Sequence, residues 1–162
     1  VRRLRRETTL YEALIKEVEL SIRSLLQSDP QMWVKIQNIL RVNGVGLMTV
    51  AKVLAETNAF ALIRNGKQLT SYAGLDVVFN ESGKHQGKTR ISRKGNSHLR
   101  QSVYMPAISA IKSNPNLKSY YDRIIEKGKP KKVGVIAVAR KLLLLIYFLW
   151  INETEYDPAY AA

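Results

Sequence analysis

Apolar residues mark out the elements of this chain before any chemistry is considered. Between Leu4 and Leu25, positions Leu4, Thr8, Tyr11, Ile15, Val18, Ile22 and Leu25 alternate spacings of four and three. That is the rhythm of a coiled-coil seam, with Thr8 its one polar interruption. Glu12 and Lys16 add a favourable i,i+4 pair on the outer face. The pattern predicts a coiled-coil arm over residues 1–27, its heptad stretch from Leu4 to Leu25 about 30 Å long and suited to pairing with another helix. A second helix is expected to start at Ser28-Asp29-Pro30, where Ser28 or Asp29 can cap and Pro30 suits the first helical position. It runs through Met32, Trp33, Ile36 and Ile39-Leu40, and after Val42-Asn43-Gly44-Val45-Gly46 a third follows through Val50, Val53 and Leu54.

Leu69, Tyr72 and Leu75 belong to a short helix entered from Asn65-Gly66 and closed by Gly74, with Tyr72 on its apolar side. From Asp76 to Ser92 the rhythm changes. Val77, Val78 and Phe79, then Lys88 to Ile91, flank a segment with Gly83 and Gly87, which predicts a short β-hairpin or extended flap. Asn96 can cap a helix through Leu99, Val103, Ala107 and Ile111, in which Pro106 is expected to introduce a kink. Helices around Leu117–Glu126 and Val135–Trp150 complete the set, and the residues from Asn152 read as a loose tail. The fold class expected is therefore mainly α: a coiled-coil helix (1–27), a helical domain (28–151) with a helix-hairpin-helix-like element and one short β-hairpin, and a tail (152–162).

Val133 to Ile151 is apolar enough to suggest a membrane span, yet Arg140 and Lys141 lie near its middle. Two cations at that depth are costly in lipid, so a buried core helix is the reading adopted. The chain opens on Val1 and Arg2, Arg3, Arg5 and Arg6, with no apolar signal segment behind them. Such a start is expected for a piece of a longer protein.

Charge narrows the function. The 162 residues hold 26 Lys+Arg against 13 Asp+Glu, a formal net charge of +13. At 46% hydrophobic residues this is globular material, so the excess belongs on a folded surface that attracts a polyanion. There is no cysteine and only His85 and His98, which excludes a disulfide scaffold and a thiolate metal site and argues against a His-rich one.

Two segments suit phosphate. Gly44 and Gly46, with Val45 between them, allow a tight turn whose backbone N–H groups, together with the start of the next helix, face an anion. The same residues fit a turn between packed helices, and Asn43 stands where an apolar residue begins the helix-hairpin-helix pattern. The stretch from Ser82 to Tyr121 contains no Asp or Glu. Its cations Lys84, Lys88, Arg90, Arg93, Lys94 and Arg100 form a single-sign surface; Gly83, Gly87 and Gly95 permit close backbone approach, and Asn96 begins a helix whose amides point the same way. The hydroxyls among them, Ser82, Thr89, Ser92 and Ser97, can bind phosphate or close a turn. A further basic cluster, with Lys129, Lys131 and Lys132, suits nucleic-acid contact.

Gly44-Val-Gly, Ser71-Tyr-Ala-Gly-Leu75, Glu81-Ser-Gly83, Gly87 to Ile91, Lys94-Gly-Asn96, Leu99-Arg100 and Tyr104-Met-Pro-Ala107 follow in order. Together they resemble the C-terminal transposase domain of the IS-one-ten group of insertion-sequence transposases, the bridge-RNA-guided serine recombinases. The likeness extends from the heptad helix to Arg140-Lys141. It implies an upstream ribonuclease-H-like domain, outside this chain, that binds Mg²⁺ through acidic residues; no cofactor is expected in this chain itself. It further implies that Ser82 is the nucleophile, attacking a DNA phosphodiester to give a covalent serine–DNA intermediate during transposition, with Ser92 and Ser97 as rivals. Lys84, Arg90 and Lys94 can stabilise charge at the phosphorus. The partners implied are DNA, a guide RNA, and further copies of the chain joined through the coiled coil as a homodimer or higher oligomer, in a bacterial or archaeal cytoplasm near the nucleoid. No membrane partner is expected. The rival reading from another class is a non-catalytic helix-hairpin-helix-type nucleic-acid-binding module.

Overall fold

The computed structural model describes residues 2–79, 81–82, 85–87 and 89–160. Helix α1 (Arg2–Gln27) leads into α2 (Pro30–Leu40), α3 (Leu47–Thr57) and α4 (Gly66–Tyr72). A flap follows, made of β1 (Val77–Val78), β2 (Glu81–Ser82), β3 (His85–Gln86) and β4 (Arg90–Ile91). Then come α5 (Ser97–Ser113), α6 (Pro115–Glu126), α7 (Lys131–Asn152) and a 3-10 turn at Pro158–Tyr160. The chain is mainly α, as its sequence pattern implies.

Local chemistry sets several of these boundaries. The Asp29 side chain accepts from the Met32 amide at 3.0 Å, with Pro30 at the first position of α2. Asn65, Asn96 and Asn114 cap α4, α5 and α6 in the same way. Helix α4 ends in a Schellman turn: Gly74 has φ +64°, its amide donates to Ser71 O, and the Leu75 amide donates to Thr70 O. Leu75 is thereby driven into the core, where it is buried.

The core forms around α7. Val138, Leu142, Leu143 and Ile146 are fully buried there, against α5, α6, α2 and α4. Phe60 sits at its far end, edge-on to Tyr147 with ring centroids 5.3 Å apart. Helix α7 has the length and apolar character of a membrane span, but here it is the central strut of the domain. Small residues let its neighbours approach; a β-carbon on Gly134 would lie 2.7 Å from the Tyr121 ring.

Helix α1 forms as the heptad pattern predicts, and it buries none of its residues fully. Leu26 packs on the core, whereas Leu4, Tyr11, Ile15, Val18 and Leu25 from the expected seam are exposed, as are Leu10 and Leu14 beside it.

The end of the chain departs from expectation. In place of a loose tail, residues 153–160 fold back over α2 and the α5–α6 junction. Glu153 pairs with Lys35 at 2.6 Å, Glu155 pairs with Arg41, and Asn114 donates its side-chain amide to Tyr156 Oη at 2.8 Å. Asn116 also reaches Pro158 O. Asn114 is almost fully buried and already caps α6, so the tyrosine oxygen answers its remaining donor.

Candidate nucleic-acid interface

The flap is a nested antiparallel hairpin. Val77 pairs with Ile91 and Val78 with Arg90, while further out Glu81 pairs with Gln86 and Ser82 with His85. Two residues (79–80) separate the ladders on the outgoing arm and three (87–89) on the return arm, so the register steps by one. Ser82 ends β2, opposite His85, and is exposed. The flap leaves Val77, Val78 and Phe79 exposed as well.

Below the flap the two arms are fastened to the end of α4. The Ser92 amide donates to Asp76 O, the Arg93 amide to Gly74 O, and the Asn96 amide to Tyr72 O at 2.6 Å. Ser92 Oγ donates to the Asp76 carboxylate. Ser92 thus joins the feet of the flap, and Asp76 holds it there. Arg93 adopts φ +55°, which turns the chain sharply into the ledge 93–96. Gly95 is compressed onto α4: a β-carbon there would lie 2.1 Å from Tyr72 O and 2.5 Å from the Gly74 amide nitrogen. Only glycine fits.

Arg90, Arg93 and Lys94 are exposed on the flap and ledge. Lys84 and Lys88 lie outside the described residues. Arg100 is held differently from the expected phosphate contact, since its guanidinium donates to Ala73 O at 2.8 Å and caps the last turn of α4. Asn96 is equally committed. Its Oδ1 accepts from the Leu99 amide at 3.0 Å, and its Nδ2 donates to the Glu56 carboxylate at 2.7 Å. Tyr72, expected on the apolar side of α4, is exposed instead, and its hydroxyl donates to Glu56 O at 3.0 Å. No local pattern announces this Glu56–Tyr72–Asn96 junction, because Glu56 and Asn96 are far apart along the chain. Beside it lies an open hollow of about 460 Å³, lined by Gln68, Ser71, Tyr72, Lys94, Gly95 and Asn96.

The glycine turn between α2 and α3 is a separate place. Gly44 has φ +98°, and a β-carbon on it would sit 2.5 Å from both Cα and N of Ala110. Its glycine is needed for contact with α5, and Val45 is buried. Gly46 differs: it begins α3 with no side-chain cap and nothing within 4 Å of where a β-carbon would be. Gly46 itself is exposed, and the first-turn amides of α3 have no side-chain partner. Because the start of α3 meets the end of α5 and its Glu56 meets the start, the two helices run antiparallel. Gly46 and the ledge consequently sit at opposite ends of α5, about 20 Å apart. Lys129, Lys131 and Lys132 are exposed before and within the first turn of α7.

A family model described as Transposase IS116/IS110/IS902 family matches residues 36–122, from the middle of α2 into α6. The chain belongs to this transposase family. Among its curated relatives is the IS900 insertion element's uncharacterized 42 kDa protein of Mycobacterium paratuberculosis, 30% identical over 75% of this chain and 31% of the relative. The pilin gene-inverting protein of Moraxella lacunata is 30% identical over 88% of this chain and 45% of the relative. A probable family 20 transposase of Pseudomonas aeruginosa is 26% identical over 98% of this chain and 46% of the relative. The chain thus spans less than half the length of these relatives. Within this transposase-family chain, the matched region contains the glycine turn, the flap and its ledge, and all of α5.

Proposed function

We propose that this chain is the part of a DNA transposase or recombinase that supplies a serine nucleophile, Ser82. The observation that carries the reading is the position of Ser82: exposed, at the end of β2 in a flap that also carries Arg90, and at the start of the acid-free stretch. Its rivals stand elsewhere. Ser92 is half-buried and bonded to Asp76 at the foot of the flap, and Ser97 opens α5 beyond the ledge.

In the proposed step, Ser82 Oγ attacks a DNA phosphodiester. The O–P bond to serine forms as the P–O bond to one strand end breaks. That strand end leaves as a hydroxyl after taking up a proton, while Oγ loses its own. The ester bond is conserved, so the reverse attack by a new strand end reseals DNA without an external energy source. Arg90 and the ledge cations Arg93 and Lys94 hold the strand and offset charge at the phosphorus. Among the described residues no group of three or more His, Cys, Asp or Glu side chains is arranged to hold a metal ion. The Mg²⁺ of the resemblance does not fit these residues, and its proposed home is the upstream ribonuclease-H-like domain of the longer protein. A guide RNA as second nucleic acid, assembly of copies through the apolar face of α1, and action in the cytoplasm belong to the same proposal.

The test is peptide mapping of a trapped protein–DNA adduct made by the full-length protein. Attachment at Ser82, with loss of adduct but retained DNA affinity in Ser82→Ala, is the expected result. Attachment at Ser92 or Ser97 overturns the residue, and no adduct in either protein returns the chain to the non-catalytic binding module.

A further inference from the structure

Between the flap and α7 runs a half-open groove of about 360 Å³, at the small end of the ~300–1,000 Å³ typical of ligand sites. Val77 and Ile91 from the foot of the flap form one wall. Tyr120 from α6 and Val133, Arg140 and Lys141 from α7 form the other. The walls are mostly apolar, and the charged side chains lining the groove are these two cations, with no carboxylate among them. Lys141 Nζ lies 4.8 Å from the Tyr120 ring centroid. Val77 and Val133 are each nearly half exposed, so apolar surface is left uncovered.

We infer that this groove binds one unpaired nucleotide of the DNA strand, its base between the apolar walls and its phosphate beside Arg140 and Lys141. The inference rests on the reading of the chain as a DNA-acting domain and adds a site that reads strand state. Its occupant follows from charge and shape. An apolar slot with an aromatic ring takes a flat π-system, and two cations without a carboxylate select one that carries negative charge. A base within a duplex is stacked on both faces and cannot enter; a base displaced from pairing can. The groove also adjoins the flap surface: Ile91 lines it, while Arg90, the preceding residue of β4, is exposed on the flap. A strand lying on the flap can therefore put a neighbouring base into the groove.

The experiment compares this chain's affinity for two duplexes of one sequence, one fully paired and one with a single unpaired 2-aminopurine. Tighter binding of the second by at least about five-fold, with quenched 2-aminopurine emission, is expected from stacking of one base. Tyr120→Ala should remove the preference and leave affinity for the paired duplex within about two-fold. Ala137→Met narrows the same groove without taking volume from the core, and should act alike even if Tyr120→Ala fails to fold. Equal affinity of the unaltered chain for both duplexes overturns the groove and leaves the DNA reading standing. So does a preference that survives Ala137→Met. Absence of binding to either duplex overturns both.

Discussion

Gly44 and Ala110 meet backbone to backbone, so close that a β-carbon on Gly44 would stand 2.5 Å from Ala110 Cα. This contact joins the α2–α3 turn to α5, and it makes the glycine serve packing. Gly44→Ala adds steric overlap to a positive φ, and should cost about 3 kcal/mol of unfolding free energy. Urea denaturation would show it as a lower midpoint. A loss under about 1 kcal/mol would mean that the turn yields easily.

Two positions further, the neighbouring glycine gives the opposite result. Gly46→Ser has room for its side chain and supplies the cap that α3 lacks, so stability should rise by a few tenths of a kcal/mol. The serine oxygen then occupies the amides that a phosphate would use. DNA affinity should fall while stability rises, as measured by filter binding and thermal melting on the same preparation. Unchanged affinity would remove this turn from the interface.

Arginines on the two sides of the ledge separate binding from folding. Arg93→Gln takes one exposed cation and should reduce the slope of log affinity against log salt by about one, with stability unchanged. Arg100→Gln instead loses the charged bond to Ala73 O and should cost about 1.5 kcal/mol of stability, with the slope preserved. An equal drop in slope for both variants would place Arg100 on phosphate after all.

Much of this division was legible in the sequence, but only where its cause is local. Asp29-Pro30 and Asn96 announce helix starts because a cap and its amide are three residues apart. The flap was legible from the change of rhythm after Asp76, and the acid-free stretch pointed to its surface. What could not be read depends on partners distant along the chain. Asn96 looked free for phosphate because Glu56 lies 40 residues away, and the end of the chain looked loose because Glu155 finds Arg41 at a separation of 114. Gly44 was recognisable as a turn, whereas its contact with Ala110 needed the fold.

The docked end of the chain is expected to contribute through a buried donor more than through its charges. Tyr156→Phe strands the Asn114 amide, which should cost about 1–2 kcal/mol. Glu155→Gln removes an exposed ion pair and should cost under about 1 kcal/mol. Differential scanning calorimetry of the two variants would rank them, and a reversed order would refute this account.

Gly95 ties the ledge to α4, and Gly95→Ala should loosen the flap's footing as well as lower stability by about 3 kcal/mol. Hydrogen exchange of the amides of Ser92, Arg93 and Asn96 should accelerate more than that of α7. Uniform acceleration would mean that the ledge has no independent hold on the flap.

The antiparallel lie of α3 against α5 finally acts as a ruler. At 3.4 Å per base pair, a duplex touching the uncapped amides beside Gly46 and the ledge cations together would span about six base pairs. That is somewhat more than half a helical turn, so on one face of a straight double helix the two contacts meet different strands.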